Sequence, residues 1–365
     1  MASSSPMTRA APSPGVAGGW PAYAIVAIVL GAAVYAFSPR PMPDFTPTQI
    51  FPDRLLITGI AASGSRVVAV GEQGHILVGD TGQPFHEAQV DPARGSTLTR
   101  VIFVDDHTAF AVGHDGWILR SEDKGEHWKE VAFDAERPDP LIGIAGPFND
   151  KLFAFGAFGL FTTSTDGGKT WNKETLNIVE EGAAKKVVDE NADPFANFGG
   201  GGSGLAERHL NALTQLADGS LLLLGEQGTM LQSTDGGASW KKLPDVYAGS
   251  YFGVLNLANG GVVAFGMRGN AYFSRDNGKT WKKCDVPLNA SLFGGAVTNN
   301  GEIVLVGDNN VILKSTDSGE HFKLAAQPPH HGLAAGIAAV LPLSNGDLLT
   351  GGDDGLNVQN LGGKS

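Results

Sequence analysis

The chain has 365 residues, 51 of them glycine, with 42% hydrophobic and 18% charged residues and a formal net charge of −12. So much glycine excludes a mainly helical protein and suits an all-β fold with many tight turns, where residues take positive φ without steric cost. Arg9 and Arg40 are the only charges in the first forty residues, which leaves 24 of the 26 basic residues against all 38 acidic ones in the body, a net of −14; with no basic stripe, such a body repels phosphate backbones and argues against nucleic acid as a partner.

Residues 1–19 are rich in Ala, Ser, Pro and Gly and are expected to be disordered. From Trp20 to Phe37 there are eighteen uncharged residues. As a helix at about 1.5 Å per residue they span about 27 Å, enough for a bilayer core. Trp20, Tyr23, Tyr35 and Phe37 stand near the ends, where interface aromatics sit, and Pro39, Pro41 and Pro43 stop the helix. Residues 20–38 therefore read as an uncleaved transmembrane anchor, with a signal peptide cleaved after Val34-Tyr35-Ala36 as the alternative. Arg9 and Arg40 nearly balance the positive-inside count. The favoured orientation keeps the N-terminus inside, with the body on the periplasmic side of the inner (cytoplasmic) membrane.

The body, 45–365, repeats. Ser121-Glu122-Asp123-Lys124-Gly125-Glu126-His127-Trp128 returns around Asp166, Asp235, Asp276 and Asp317, the last with Phe322 for Trp, and more weakly at Asp80. This is S-x-D-x-G-x-x-W, the Asp-box or BNR repeat. Its Asp bonds N–H groups of its own hairpin turn, its Gly supplies positive φ and its Trp starts the next strand, so these residues are structural. A second landmark, an apolar run ending in Gly-x-x-Gly (Gly-x-x-Asn at Gly307), has its first glycine at Gly71, Gly113, Gly156, Gly225, Gly266, Gly307 and Gly352, with spacings of 42, 43, 69, 41, 41 and 45. Seven units of four strand-sized segments are the signature of a seven-bladed β-propeller. The last unit lacks an outer strand, and Pro47–Asp53 is expected to supply it and close the ring. The long spacing marks an insertion at about 177–208: Asn177–Glu190 as a short helix, then a glycine tether over 197–204. It is either a tolerated loop or a partner-binding arm.

Catalytic and cofactor signatures are missing. The tyrosines of the body are Tyr247, Tyr251 and Tyr272, and its sparse arginines make no triad for a sialidase. The Gly-Lys-Thr runs at 168 and 278 lack the P-loop glycine five residues earlier and belong to Asp-boxes. His330-His331 has no ligand partner at metal spacing, and Cys284 reads as an inert thiol. No cofactor and no metal are expected. The residues inside the Gly-x-x-Gly turns should form a ring on the face opposite the Asp-boxes: Glu72 and Gln73, His114 and Asp115, Phe158, Glu226 and Gln227, Met267 and Arg268, Asp308 and Asn309, and Asp353. This mostly acidic ring, with Phe158 and Met267 as apolar spots, is the candidate partner-binding site. Plain turn chemistry is the competing account of it.

Seven blades, Asp-boxes and a membrane-proximal body resemble the photosystem II assembly and stability factors of photosynthetic organisms. The resemblance covers about residues 45–365 and implies a non-catalytic scaffold that binds a membrane protein or a subunit of a membrane complex. Where those factors use an arginine-rich patch, the matching face here is acidic and holds Arg268. An accessory subunit of an envelope transporter and a sialidase-like glycoside hydrolase are the alternatives.

Overall fold

The computed structural model describes residues 20–38, 51–52, 54–179, 204, 207–325 and 335–360, in two units, Met1–Gln49 and Ile50–Ser365. In the first, Trp20–Phe37 is a single α-helix without a buried residue, long and apolar enough to cross a membrane. Residues 1–19, expected to be disordered, lie outside the described residues, as do His330 and His331.

The second unit consists of seven sheets, the blades. Blade II shows how sequence sets each of them. Its inner strand Leu98–Phe103 is followed by Ala109–Gly113, Ile118–Ser121 and His127–Ala132, all antiparallel to their predecessors. The second strand is buried throughout because a neighbouring blade covers each face, so it reads as a continuous apolar run. The fourth strand lies at the rim and alternates, with Trp128 buried between exposed His127 and Lys129. The other inner strands are Ile57–Ser63, Leu141–Phe148, Leu210–Gln215, Tyr251–Asn256, Leu292–Val297 and Ile337–Pro342.

Each second strand ends on one of the seven landmark glycines. Space explains them. A Cβ there would lie 1.9–2.4 Å from the carbonyl oxygen of the residue just before the blade's own inner strand: Leu56, Thr97, Pro140, His209, Ser250, Ser291 and Gly336 in turn. The N–H following each glycine donates to that same oxygen at 2.9–3.1 Å. The contact pins the turn between strands two and three to the start of the innermost strand in every blade.

Seven apolar clusters fill the spaces between successive blades. In the last, Leu356 of blade VII packs against Leu55, Ile57, Ala69 and Leu77 of blade I, so the ring closes. Blade VII has three strands among the described residues. Its Leu356 N–H donates to the Pro52 carbonyl at 2.9 Å. This is where the expected closing segment meets the blade, although Pro47–Ile50 and Asp53 lie outside the described residues.

Two blades gain a fifth strand at the rim, because the incoming connection pairs in parallel with the fourth: Gln89–Asp91 in blade II and Ile178–Val179 in blade IV. The latter corrects the helix expected from Asn177. The Asn177 carbonyl accepts from Trp240 N–H at 2.8 Å, and two β-branched residues cover an open sheet edge instead of coiling. Residues 180–190, and all of 197–204 except Gly204, lie outside the described residues.

The five full Asp-boxes repeat one hydrogen-bond set on the turn between strands three and four. The Ser hydroxyl donates to the Asp carboxylate at 2.8–2.9 Å and accepts from the box Gly N–H at 2.8–3.0 Å. The Asp also accepts the N–H of the residue four positions on, at 2.8–3.0 Å. That residue's side chain closes the set at 2.6–2.7 Å: His127, Thr170, Ser239, Thr280 and His321. Asp80 is bonded differently, to Ser65 Oγ at 3.2 Å and Arg66 at 3.4 Å.

These bonds hold the box carboxylates below their usual range. The Ser239 hydroxyl and N–H, then Ser233, draw Asp235 down to about 2. For Asp317, desolvation opposes the shift, but bonds from His321 and Ser315 bring it to about 2. A depressed carboxylate adds stability that is complete above its ordinary pKa of 3.8 and is lost as pH falls towards 2. His321, raised by its bond to Asp317, acts in the opposite sense: its contribution is present below 6.5 and fades as pH rises through the raised value. Melting temperature should therefore fall steeply between pH 4 and pH 2, and Asp235→Asn should flatten that fall. Thermal melts across the range check this, and equal slopes for the two proteins would contradict it.

Candidate functional site

The turn that follows each landmark glycine closes with a hydrogen bond from residue i+3 to residue i in blades I to VI, from His75 to Glu72 through Val311 to Asp308. Its second residue stands at φ between 51° and 60°: Gln73, Asp115, Phe158, Gln227, Arg268 and Asn309. In blade VI Asn310 replaces the second glycine at φ 54°, a conformation Asn tolerates better than most side chains. In blade VII Asp353 and Asp354 form a two-residue hairpin loop between paired Gly352 and Gly355. All seven turns join strands two and three, at the end where the inner strand begins. The candidate residues from Glu72 to Asp353 are thus brought to one face, and the Asp-boxes lie at the other end of the blades.

Much of the acidity of this face is committed to backbone. Glu72 accepts the Leu56 N–H at 3.1 Å, Glu226 the His209 N–H at 3.0 Å and Asp353 the Gly336 N–H at 2.8 Å. Each thereby caps the approach to its inner strand. Asp115 accepts the Ser96 hydroxyl at 2.5 Å and Asp308 the N–H of Asn309 at 2.9 Å. His114, Gln73 and Gln227 are exposed. Met267 is half-buried and its carbonyl accepts from Tyr247 at 3.4 Å. Exposed Arg268 donates its N–H to Ser291 Oγ at 3.3 Å.

Phe158 differs from its counterparts. It is 55% exposed and holds φ 53°, a strained conformation for a bulky residue. Its ring stands edge-on to His209, 5.3 Å away. It borders a cleft of about 280 Å³ together with Arg137, Asp139, Leu160, Lys173 and Leu176. Arg137, Leu160 and Lys173 also line a second depression of about 190 Å³, which reaches Phe133, Ile118 and Trp171 between blades II and III. The two make a groove with an apolar floor and charged rim, the make-up of a protein-binding surface. Where the chain returns towards blade IV, the Arg208 carbonyl accepts the Gly159 N–H at 2.8 Å.

No set of three or more His, Cys, Asp or Glu positioned to hold a metal occurs among the described residues. Cys284 is buried, which pushes its thiol up to about 12 and keeps it protonated.

The BNR/Asp-box repeat family model matches residues 272–283, the box of blade V. The photosystem II assembly lipoprotein Ycf48 of Synechococcus sp. (strain CC9902) is 28% identical over 143 residues, 39% of this chain and 35% of that protein, so the match spans about a third of its length. A solved structure of YCF48 bound to a D1 peptide superposes with a TM-score of 0.61 at 16% identity, over 88% of this chain and 98% of that one. A streptogramin B lyase gives 0.62 at 14% identity, over 84% and 94%, so the same fold also carries an enzyme. The chain is a seven-bladed propeller with Asp-box repeats, similar in fold to YCF48.

Proposed function

We propose that the protein is a membrane-anchored propeller that binds a membrane-protein partner on its turn face and, without catalysis, assists the assembly or regulation of a membrane complex. One observation carries the reading: a strained, exposed Phe158 beside an apolar groove with a charged rim. An aromatic anchor next to a pocket is where binding energy concentrates in protein interfaces. The likeness to Ycf48 supports the class of partner, since that protein is named as a photosystem II assembly lipoprotein and one structure holds a D1 peptide. The helix Trp20–Phe37 supports an anchor that keeps the propeller beside the inner membrane, with the propeller assigned to its periplasmic side. The engagement of Glu72, Glu226 and Asp353 with backbone N–H groups supports a binding role over hydrolysis, because a catalytic carboxylate must be available to substrate.

The test is site-specific photocrosslinking of the full chain in its native membrane. A photoreactive residue at position 158 should capture one membrane protein reproducibly. The same probe at Leu324, exposed on the fourth strand of blade VI, should not. Recovery of no membrane protein from position 158, or of the same set from both positions, would sink the reading.

A further inference from the structure

Each inner strand carries a register shift after its first residue. The third residue therefore occupies an equivalent place in all seven blades. In six of them it is Gly59, Gly143, Ala212, Gly253, Gly294 or Ala339, nothing longer than a methyl. In blade II it is Arg100, the one charged residue in the seven inner strands.

Arg100 lines a cavity of about 140 Å³ at the axis of the ring. Its walls come from blades III to VI and include Ile144, Phe293 and the glycines at 143, 253 and 294, with Asn211 as a polar group. Desolvation pulls the Arg100 pKa below the usual arginine value. Among the described residues, no hydrogen-bond acceptor or acid pairs with this side chain. Arg100 is half-buried, so its guanidinium faces the cavity with its N–H donors open to a ligand rather than sealed in the interior.

The geometry points to the axial cavity as a binding site for a small monocarboxylate, seated on Arg100. The planar fork of a guanidinium matches a carboxylate in two parallel hydrogen bonds, and the apolar walls suit a short alkyl chain. At about 30 Å³ per water, the cavity holds the equivalent of four or five waters, the size of an acid of about two to four carbons. A single positive charge inside a body of net −14 favours a monovalent anion over a divalent one. This site is distinct from the Phe158 groove and does not depend on it.

The test uses the full chain in detergent. Sodium propionate is titrated against sodium chloride at constant ionic strength, with heat of binding and melting temperature as readouts. Wild type should show saturable binding and a rise in melting temperature. Arg100→Lys keeps the charge without the fork and should weaken binding at least tenfold, and Arg100→Gln should abolish it. In case Arg100→Gln fails to fold, the arginine Nε–H resonance of Arg100 in wild type should shift with propionate and not with chloride. No propionate response in wild type, an equal response in Arg100→Gln, an unmoved Arg100 resonance or tighter binding of sulfate would each overturn the assignment.

Discussion

Gly307→Ala should lower the stability of the propeller by about 3 kcal/mol, the range of a steric insertion into a packed interior. Gly307 holds φ −174°, an extended backbone open to any residue, so conformation is not the obstacle. The obstacle is the Ser291 oxygen, which an added Cβ would meet at 1.9 Å, with the Ser291 carbonyl carbon and Leu292 Cα both at 2.9 Å. Relief requires moving the start of the inner strand, which breaks the bond from Asp308 N–H to Ser291 O at 2.9 Å and disturbs the core around Leu292. Gly301→Ala is the control. That residue turns at φ 80° with nothing within 4 Å of its Cβ position, so its cost is conformational, about 1–2 kcal/mol. Urea unfolding midpoints of the two variants separate space from backbone freedom, and equal losses would remove the steric account of the landmark glycines.

Phe158 should behave in the opposite way. Phe158→Gly is expected to raise stability by about 0.5–1 kcal/mol, because glycine takes φ 53° without strain. The same change should weaken binding of the crosslinked partner at least tenfold, the loss of an aromatic anchor at an interface centre. Unfolding curves and a binding titration with the purified partner measure the two effects. A stabilised variant that binds as well as wild type would show that the strain at position 158 serves something other than binding.

Blade number was legible because a steric demand repeats. Every blade brings a carbonyl against the end of its second strand, so every blade must place glycine there, and the count reached seven even where the Asp-box fails at Asp80. The seventh position of the boxes escaped notice because His127, Thr170, Ser239, Thr280 and His321 look unrelated as types, although each can bond the same carboxylate. Sequence overstates the free charge of the turn face. Glu72, Glu226 and Asp353 are acids in the sequence, but their oxygens are occupied by N–H groups some sixteen or seventeen residues away, a pairing that exists only after folding. The groove beside Phe158 was hidden for a related reason. Arg137 precedes blade III, Phe158 lies on its turn and Lys173 on its fourth strand, so no local pattern links them. Arg100 likewise stands apart only when the inner strands are compared at their register shifts, a correspondence that no local sequence pattern carries.

The seven cores lie between blades, and the seventh joins the last blade to the first. A linear stack of repeats frays from its ends and needs polar caps there. A circle has no ends, so every blade is an interior one, held on two sides. Opening anywhere costs a whole interface before any blade gains freedom, and the molecule should resist local loosening until it comes apart as one.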